Sequence, residues 1–152
     1  MCIRDSNSAY PWLLAGAKTL SYAVNMAVLR YVQERGADDA IFITDERRVL
    51  EGATSSVLVA KIEDGKKVLY TPEPSHGILP GTTQGAVFEA ARQAGWELGF
   101  GPLYPQDLFE SDGVWLASSV RLIAPVTHLN GTALAHDPEL TATLLNYLAQ
   151  QS

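Results

Sequence analysis

Residues 49–60 read Val-Leu-Glu-Gly-Ala-Thr-Ser-Ser-Val-Leu-Val-Ala, two strand-like runs separated by a Glu-Gly pair and a group of hydroxyl residues. The β-branched residues predict strands at Val49-Leu50 and over 54–62. Glu51 and Gly52 fit either a surface turn or a segment that a ligand approaches closely, because glycine carries no side chain. The stretch alone predicts strands and leaves the choice between turn and ligand site open.

The elements around this stretch mix helices with strands. Apolar residues spaced by three and four predict the helices, Asp64-Gly65 and Asn130-Gly131 predict hairpin turns, and Asp137 is a candidate cap. The predicted helices are 19–35, 82–94, 138–150 and a single turn at 105–109; the further predicted strands are 39–44, 67–71, 97–100, 114–117 and 122–129. On the last helix, the side chains expected to face the core are Leu140, Leu144, Leu145 and Leu148. This mixture predicts an α+β fold.

Composition favours one soluble domain. The chain has 152 residues, of which 47% are hydrophobic and 18% charged, with a net charge of −6. The acidic balance argues against a nucleic-acid partner, and no apolar run approaches membrane-spanning length. The lone Cys2 excludes an internal disulfide. We therefore expect a cytoplasmic enzyme that contacts neither nucleic acid nor membrane.

The first residues differ in character from the rest of the chain. Met1 to Ser6 has no apolar signal-peptide core and joins the next segment abruptly, as a read-through leader would. We expect residues 1–8 to be foreign to the fold.

Lys18 is the lysine with the most unusual setting. It follows Leu13-Leu14-Ala15-Gly16-Ala17 and precedes a predicted helix, whereas Lys61, Lys66 and Lys67 read as solvated charges. An apolar setting lowers an amine's pKa, and the neutral amine is the form that attacks an aldehyde. The alternative is a surface lysine whose aliphatic chain packs on apolar neighbours while its amine remains in water.

Two further segments could bind an anion. Gly81-Thr82-Thr83 leads into a helix, where free backbone N–H groups and two hydroxyls gather. An ordinary threonine cap would look the same. Ser118-Ser119 follows the apolar run 114–117 and could donate to a phosphate or simply end a strand.

No other chemistry has support in the sequence. His76, His128 and His136 are isolated in turn-like contexts and read as surface residues. No spacing suits a metal site, and no serine lies in a nucleophile elbow.

The order of these parts is more specific than any one of them. A lysine before a helix, a Glu-Gly-hydroxyl segment, a Leu-Pro-Gly-Thr-Thr helix start and a Ser-Ser strand end followed by Ala-Pro-Val occur in sequence from Lys18 to Gly131. This order resembles the class IV pyridoxal-phosphate enzymes, which include branched-chain and D-amino-acid aminotransferases and aminodeoxychorismate lyase. The resemblance implies that residues 9–152 are the large C-terminal, cofactor-binding domain of the D-amino-acid aminotransferase-like fold, with a mixed, barrel-like sheet and flanking helices.

The resemblance also implies roles for individual residues. Lys18 would be the Schiff-base lysine and the proton-transfer group, and Glu51 would face the pyridine nitrogen of pyridoxal 5′-phosphate. The implied phosphate ligands are Gly81, Thr82, Thr83, Ser118 and Ser119. Tyr22, one helical turn after Lys18, either contacts the phenolic oxygen of the cofactor or packs in the core.

The amino-acid sequences of these motifs are most similar to those of actinobacterial proteins labelled aminodeoxychorismate lyase. That label implies cleavage of 4-amino-4-deoxychorismate to p-aminobenzoate and pyruvate, a step towards folate. A branched-chain or D-amino-acid aminotransferase is the alternative, and a non-catalytic, cofactor-binding fragment is the second. Family members carry a smaller N-terminal domain before the lysine and form dimers. We therefore expect a missing N-terminal domain, a small-molecule substrate and a homodimeric parent protein.

Overall fold

The computed structural model describes residues 18–73 and 82–151, with side chains from residue 23 onward. Four helices and nine strands lie within these ranges. In chain order they are α1 (Lys18–Gln33), β1 (Ile41–Ile43), β2 (Val49–Gly52), β3 (Ser56–Glu63), β4 (Lys66–Pro72), α2 (Thr82–Gln93), β5 (Glu97–Gly101), α3 (Pro105–Phe109), β6 (Gly113–Ser118), β7 (Leu122–Pro125), β8 (His128–Leu129), β9 (Thr132–Ala133) and α4 (Pro138–Gln150).

A mixed five-stranded sheet forms the centre. Its strand order is β5-β4-β3-β6-β7, with β1-β2 and β8-β9 as separate two-stranded pairs. β4 and β5 are parallel and connected through α2, while the other neighbours in the sheet are antiparallel. The predicted α+β class is therefore confirmed, and the parallel pair explains why a helix is inserted between β4 and β5.

The two faces of the sheet have separate cores because side chains alternate along a strand. Val57 and Val59 of β3 pack on one face with residues of β1, β2 and α3. Leu58 and Ala60 pack on the other face beneath α2 and α4. The Trp115 indole N–H donates to Thr141 Oγ1 at 2.8 Å, which ties β6 to α4.

Local signals in the sequence are confirmed where turn chemistry is strong. Asp64-Gly65 and Asn130-Gly131 all have positive φ, as two-residue hairpin turns require. The Asp137 carboxylate accepts a hydrogen bond from the Glu139 N–H and caps α4.

Three predictions are wrong. The strand predicted over 122–129 divides into β7 and β8, because after Pro125 the Val126 N–H bonds back to the Val114 carbonyl. Leu145 is 36% exposed because it lies on the outer side of α4. The side chain of Lys61 is only 21% exposed and is ion-paired with Asp107 at 3.6 Å, so it is not a solvated charge.

α4 offers a matched test of the second core. Leu144 is fully buried, whereas the adjacent Leu145 is 36% exposed. We expect Leu144→Ala to lower the free energy of unfolding by about 2–5 kcal/mol, since the cavity it leaves adds to the lost burial. Leu145→Ala should cost less than about 1 kcal/mol. Urea denaturation measures both, and equal losses would contradict this packing of α4.

No helix in the described ranges is both long and apolar enough to cross a membrane.

Candidate functional site

The predicted glutamate and serine segments lie at the same end of the sheet. β2 ends at Gly52 and β3 begins at Ser56, which pairs with Ala117 near the end of β6. Ser118 is the next residue after Ala117. The antiparallel register therefore brings the start of β3, just after Glu51, next to the Ser118-Ser119 strand end.

The start of α2 reaches this same end through β4. The Thr71 hydroxyl, one residue before the end of β4, donates to the Val57 carbonyl at the start of β3, at 2.8 Å. α2 then runs back along the sheet before the parallel strand β5. Its N-terminus, with Thr82 and Thr83, consequently lies at the end of the sheet that holds the other two segments. Thr82 is exposed and Thr83 half-buried.

A hydrogen bond connects α1 to the glutamate segment. The Asn25 side-chain amide donates to the Ala53 carbonyl at 2.6 Å, two residues after Glu51. Lys18 is the first residue of α1, seven residues before Asn25, or about 10 Å along the helix axis at 1.5 Å per residue. The contact anchors the lysine-bearing helix against the segment that carries Glu51.

The turn between β2 and β3 is tightly packed. A Cβ atom on Gly52 would lie 2.1 Å from Ser55 Oγ and 3.4 Å from a methyl group of Leu116, which explains the glycine. Ser55 Oγ is buried and has no hydrogen-bond partner among the described residues. Because buried hydroxyl groups are normally paired, this one indicates that a polar group from outside the described residues belongs here.

The Ser118-Ser119 segment is where β6 ends and the loop of the β6-β7 hairpin begins. Ser118 is half-buried, Ser119 is exposed, and Ser118 pairs with Leu122 across the hairpin. Ser118 Oγ accepts a hydrogen bond from the Arg121 N–H at 3.1 Å. The hydroxyl proton of Ser118 has no acceptor among the described residues, so it is available to an anionic ligand.

An ion pair with a buried carboxylate links this hairpin to the loop after α1. Arg121 Nη1 lies 3.2 Å from Asp39 Oδ2, and Asp39 Oδ1 accepts from the Ala40 N–H at 2.8 Å. Asp39 is 3% exposed. Burial raises the pKa of the Asp39 carboxyl above its usual value and Asp38 adds to the rise, whereas the Ala40 N–H and Arg121 oppose it.

The ion pair predicts a pH dependence of stability. Because the pKa of Asp39 is raised in the folded protein, its contribution to the free energy of unfolding falls as pH rises above the ordinary value of 3.8. Arg121→Gln removes the opposing charge. The stability that this substitution costs should be larger at about pH 7.5 than at about pH 4, because only the ionised carboxyl needs the guanidinium.

Thermal unfolding at the two pH values, with Arg30→Gln as the control at an exposed arginine of α1, measures the difference. An equal loss at both values would contradict titration of Asp39 between these two pH values.

Part of the predicted site lies beyond what the structure describes. Gly81 falls outside the described residues, and so do the side chains of Lys18 and Tyr22. Their proposed roles remain predictions. Glu51 is a half-buried residue of β2 rather than of a loop, and it has an interaction partner.

Sequence reasoning missed Asn25, Ser55 and the Asp39–Arg121 pair. The sequence held a weak signal for the members of the pair. Asp39 precedes an apolar strand and Arg121 follows the Ser-Ser pair, but 82 residues separate them, and only the folded chain brings them together.

The residues at this end of the sheet suit a phosphorylated ligand. A hydroxyl with a free proton, a helix N-terminus with two threonines and an unpaired buried hydroxyl lie around a strand that carries a carboxylate. Hydroxyl and N–H donors bind phosphate oxygens, and a carboxylate can hold a protonated ring nitrogen. The set fits pyridoxal phosphate.

Comparison with known proteins agrees with this assignment. The profile of the family described as Amino-transferase class IV matches residues 1–129. The chain is 49% identical, over 137 residues, to the Bifunctional aminodeoxychorismate lyase / D-amino acid transaminase of Mycobacterium tuberculosis, covering 88% of this chain and 47% of that protein. It is 32% identical over 112 residues to the Aminodeoxychorismate lyase of Bacillus subtilis, covering 74% of this chain and 37% of that protein.

Solved structures give the same result. A hypothetical aminotransferase from Mycobacterium tuberculosis in a PLP-bound form superposes with a TM-score of 0.85 and 42% identity, over 99% of this chain and 53% of that one. The fold IV-transaminase CpuTA1 from Curtobacterium pusillum superposes with a TM-score of 0.83 and 42% identity, over 97% of this chain and 51% of that one.

These matches identify the family of the chain, and they cover only part of each relative. The chain spans about half the length of the curated relatives it matches. The predicted fold type and the predicted cofactor are confirmed at the level of the family. The chain belongs to the class IV aminotransferase family of pyridoxal-phosphate-dependent enzymes.

Proposed function

We propose that the chain holds the cofactor of an enzyme that cleaves 4-amino-4-deoxychorismate to p-aminobenzoate and pyruvate. The observation that carries the proposal is the convergence of Glu51, the start of α2 and Ser118-Ser119 at one end of the sheet. The high identity to the bifunctional mycobacterial relative supports the choice of reaction.

In this proposal Lys18, Glu51 and Tyr22 have separate roles. Bound pyridoxal phosphate supplies the electron sink for the chemistry at the substrate carbon. The amine of Lys18 holds the cofactor covalently and moves protons at the substrate. The carboxylate of Glu51 keeps the ring nitrogen protonated, and Tyr22 contacts the phenolic oxygen.

The phosphate is assigned to a separate group of donors. Gly81, Thr82 and Thr83 at the N-terminus of α2 would donate from one side. Ser118 and Ser119 would donate from the β6-β7 hairpin, and the free proton of Ser118 supports this assignment. The phosphate then lies between the start of α2 and the β6-β7 hairpin, which fixes the ring relative to Lys18 and Glu51.

Transamination of D-amino acids is the second candidate function. The name of the mycobacterial relative includes a D-amino acid transaminase activity, and the D-alanine aminotransferase of Listeria innocua is 30% identical over 92% of this chain. Both reactions would use the same lysine and cofactor, so the site does not separate them. We also propose a homodimer and a cytoplasmic location for the parent protein.

Two assays on the complete gene product distinguish the reactions. The first follows p-aminobenzoate released from 4-amino-4-deoxychorismate, and the second follows amino transfer from D-alanine to 2-oxoglutarate, each with added pyridoxal phosphate. We expect p-aminobenzoate to form. Amino transfer without p-aminobenzoate would overturn the lyase proposal in favour of the second function, and cofactor binding without either product would indicate a non-catalytic cofactor-binding protein.

A further inference from the structure

The β6-β7 hairpin has a conformation that its own residues do not favour. Its loop consists of residues 119–121. The next residue, Leu122, is the first of β7, and its φ of +59° lies in the left-handed region. A bulky residue rarely adopts this conformation, and three-residue hairpin loops usually place glycine there. Leu122 is 47% exposed, so burial of its side chain contributes little to holding this geometry.

Contacts of Arg121 hold the hairpin from two sides. Its backbone N–H donates to Ser118 Oγ, closing the loop. Its guanidinium reaches the buried Asp39, whose second oxygen is occupied by the Ala40 N–H. Both carboxylate oxygens therefore have donors, and the acid is fixed in a small core where α1 meets the following loop.

The Arg121–Asp39 pair also joins the serine hairpin to the loop that follows α1. Asp39 lies six residues after the end of α1, the helix that begins with Lys18. Arg121 lies two residues after Ser119. The Asn25–Ala53 hydrogen bond holds α1 against the glutamate segment, whereas the Arg121–Asp39 pair holds the serine hairpin against the loop after α1.

We propose that the Arg121–Asp39 ion pair is a positioning device that sets the Ser118-Ser119 hairpin for phosphate and thereby controls affinity for phosphorylated cofactor. This inference rests on the proposed cofactor site. Arg121 acts through the serines, because its guanidinium is already engaged by Asp39. The pair should matter for the phosphate and not for the ring, since the ring is assigned to Lys18, Tyr22 and Glu51.

The test compares pyridoxal phosphate with pyridoxal, which lacks the phosphate. Dissociation constants for both are measured by absorbance titration of the full chain and of Arg121→Gln, Asp39→Asn and Arg121→Lys. We expect the first two variants to weaken pyridoxal phosphate binding about tenfold, as loss of one contact in a coupled network predicts, and to change pyridoxal binding less than about twofold. Arg121→Lys should recover part of the affinity, because lysine keeps the charge but not the fork geometry.

A second ion pair provides the matched control. On α2, Arg92 Nη2 lies 2.6 Å from Glu89 Oε1, and both side chains are exposed. This pair belongs to a different element from the hairpin. Arg92→Gln removes the same charge and should leave both dissociation constants unchanged.

The outcomes separate the inference from the proposed function. Equal weakening of both ligands, or unchanged pyridoxal phosphate binding in Arg121→Gln, overturns the positioning role and leaves the cofactor site standing. If the unaltered chain binds neither ligand, the proposed site fails and this inference fails with it. Urea denaturation of each variant shows whether it is folded; Arg121 is half-exposed, so Arg121→Gln keeps the question open to test even where Asp39→Asn does not fold.

Discussion

Lys18→Ala is expected to abolish covalent capture of pyridoxal phosphate and to lower turnover at least about 10⁴-fold, since the residue would supply both the covalent link and the proton transfer. Borohydride reduction of the protein with pyridoxal phosphate, followed by peptide mass analysis, locates the modified lysine. In the unaltered protein the label should be on Lys18. Noncovalent binding should survive in the variant, because the phosphate donors and Glu51 remain.

The other lysines serve as internal controls, because each has a different engagement. Lys61 is ion-paired with Asp107 and Lys66 with Glu97 at 3.7 Å. Lys67 lies over the Trp96 ring, with its Nζ atom 5.5 Å from the centroid. Lys66 and Lys67 also follow the Asp64-Gly65 turn, at the end of the sheet opposite to the start of β3. Label on any of these three in place of Lys18 would defeat the central assignment.

The parts of the fold that the sequence predicted are those set by neighbouring residues. Asp64-Gly65 and Asn130-Gly131 can adopt positive φ at low cost, so the dipeptides alone indicate the turns. Asp137 caps its own helix within two residues. The position of Thr82 at a helix start follows from the same short-range rules, whereas Glu51, which was expected between two strands, lies within β2.

The parts that escaped prediction depend on pairing between distant segments. The spacing of residues does not predict that β3 lies between β4 and β6, yet this order brings Ser56 next to Ala117 and so brings the segments of the candidate site together. Asp39 read alone is an ordinary polar residue before a strand. It becomes a buried partner only when Arg121, 82 residues later, folds against it.

Resemblance to a family supplied what spacing could not. Taken singly, Lys18 and Glu51 each had a plain surface interpretation. Their order with Thr82-Thr83 and Ser118-Ser119 is what resembles the family, and the strand order of the sheet offers a physical reason for it. Segments that are far apart along the chain meet at one end of the sheet.

Glu51→Gln is expected to lower turnover about 10²-fold, while the affinity for pyridoxal phosphate changes little. A hydrogen bond to a charged group is worth roughly 1.5–3 kcal/mol, and about 1.4 kcal/mol corresponds to a factor of ten in rate. Glutamine keeps the size of the side chain but cannot hold a proton on the ring nitrogen by charge. Glu63→Gln, at the exposed far end of β3, removes the same charge and should have no effect on steady-state kinetics.

A cofactor analogue sharpens the test of Glu51. If carbon replaces the ring nitrogen of pyridoxal phosphate, the carboxylate has no ring nitrogen to keep protonated, and Glu51→Gln should cause no further loss of turnover beyond that of the analogue itself. The two changes then remove one shared interaction, and their effects should not add. Full additivity would mean that Glu51 acts elsewhere, for example by holding the strand end that the Asn25–Ala53 hydrogen bond anchors. Only a non-additive result ties the carboxylate to the nitrogen, because a purely structural glutamate would be indifferent to that single ring atom.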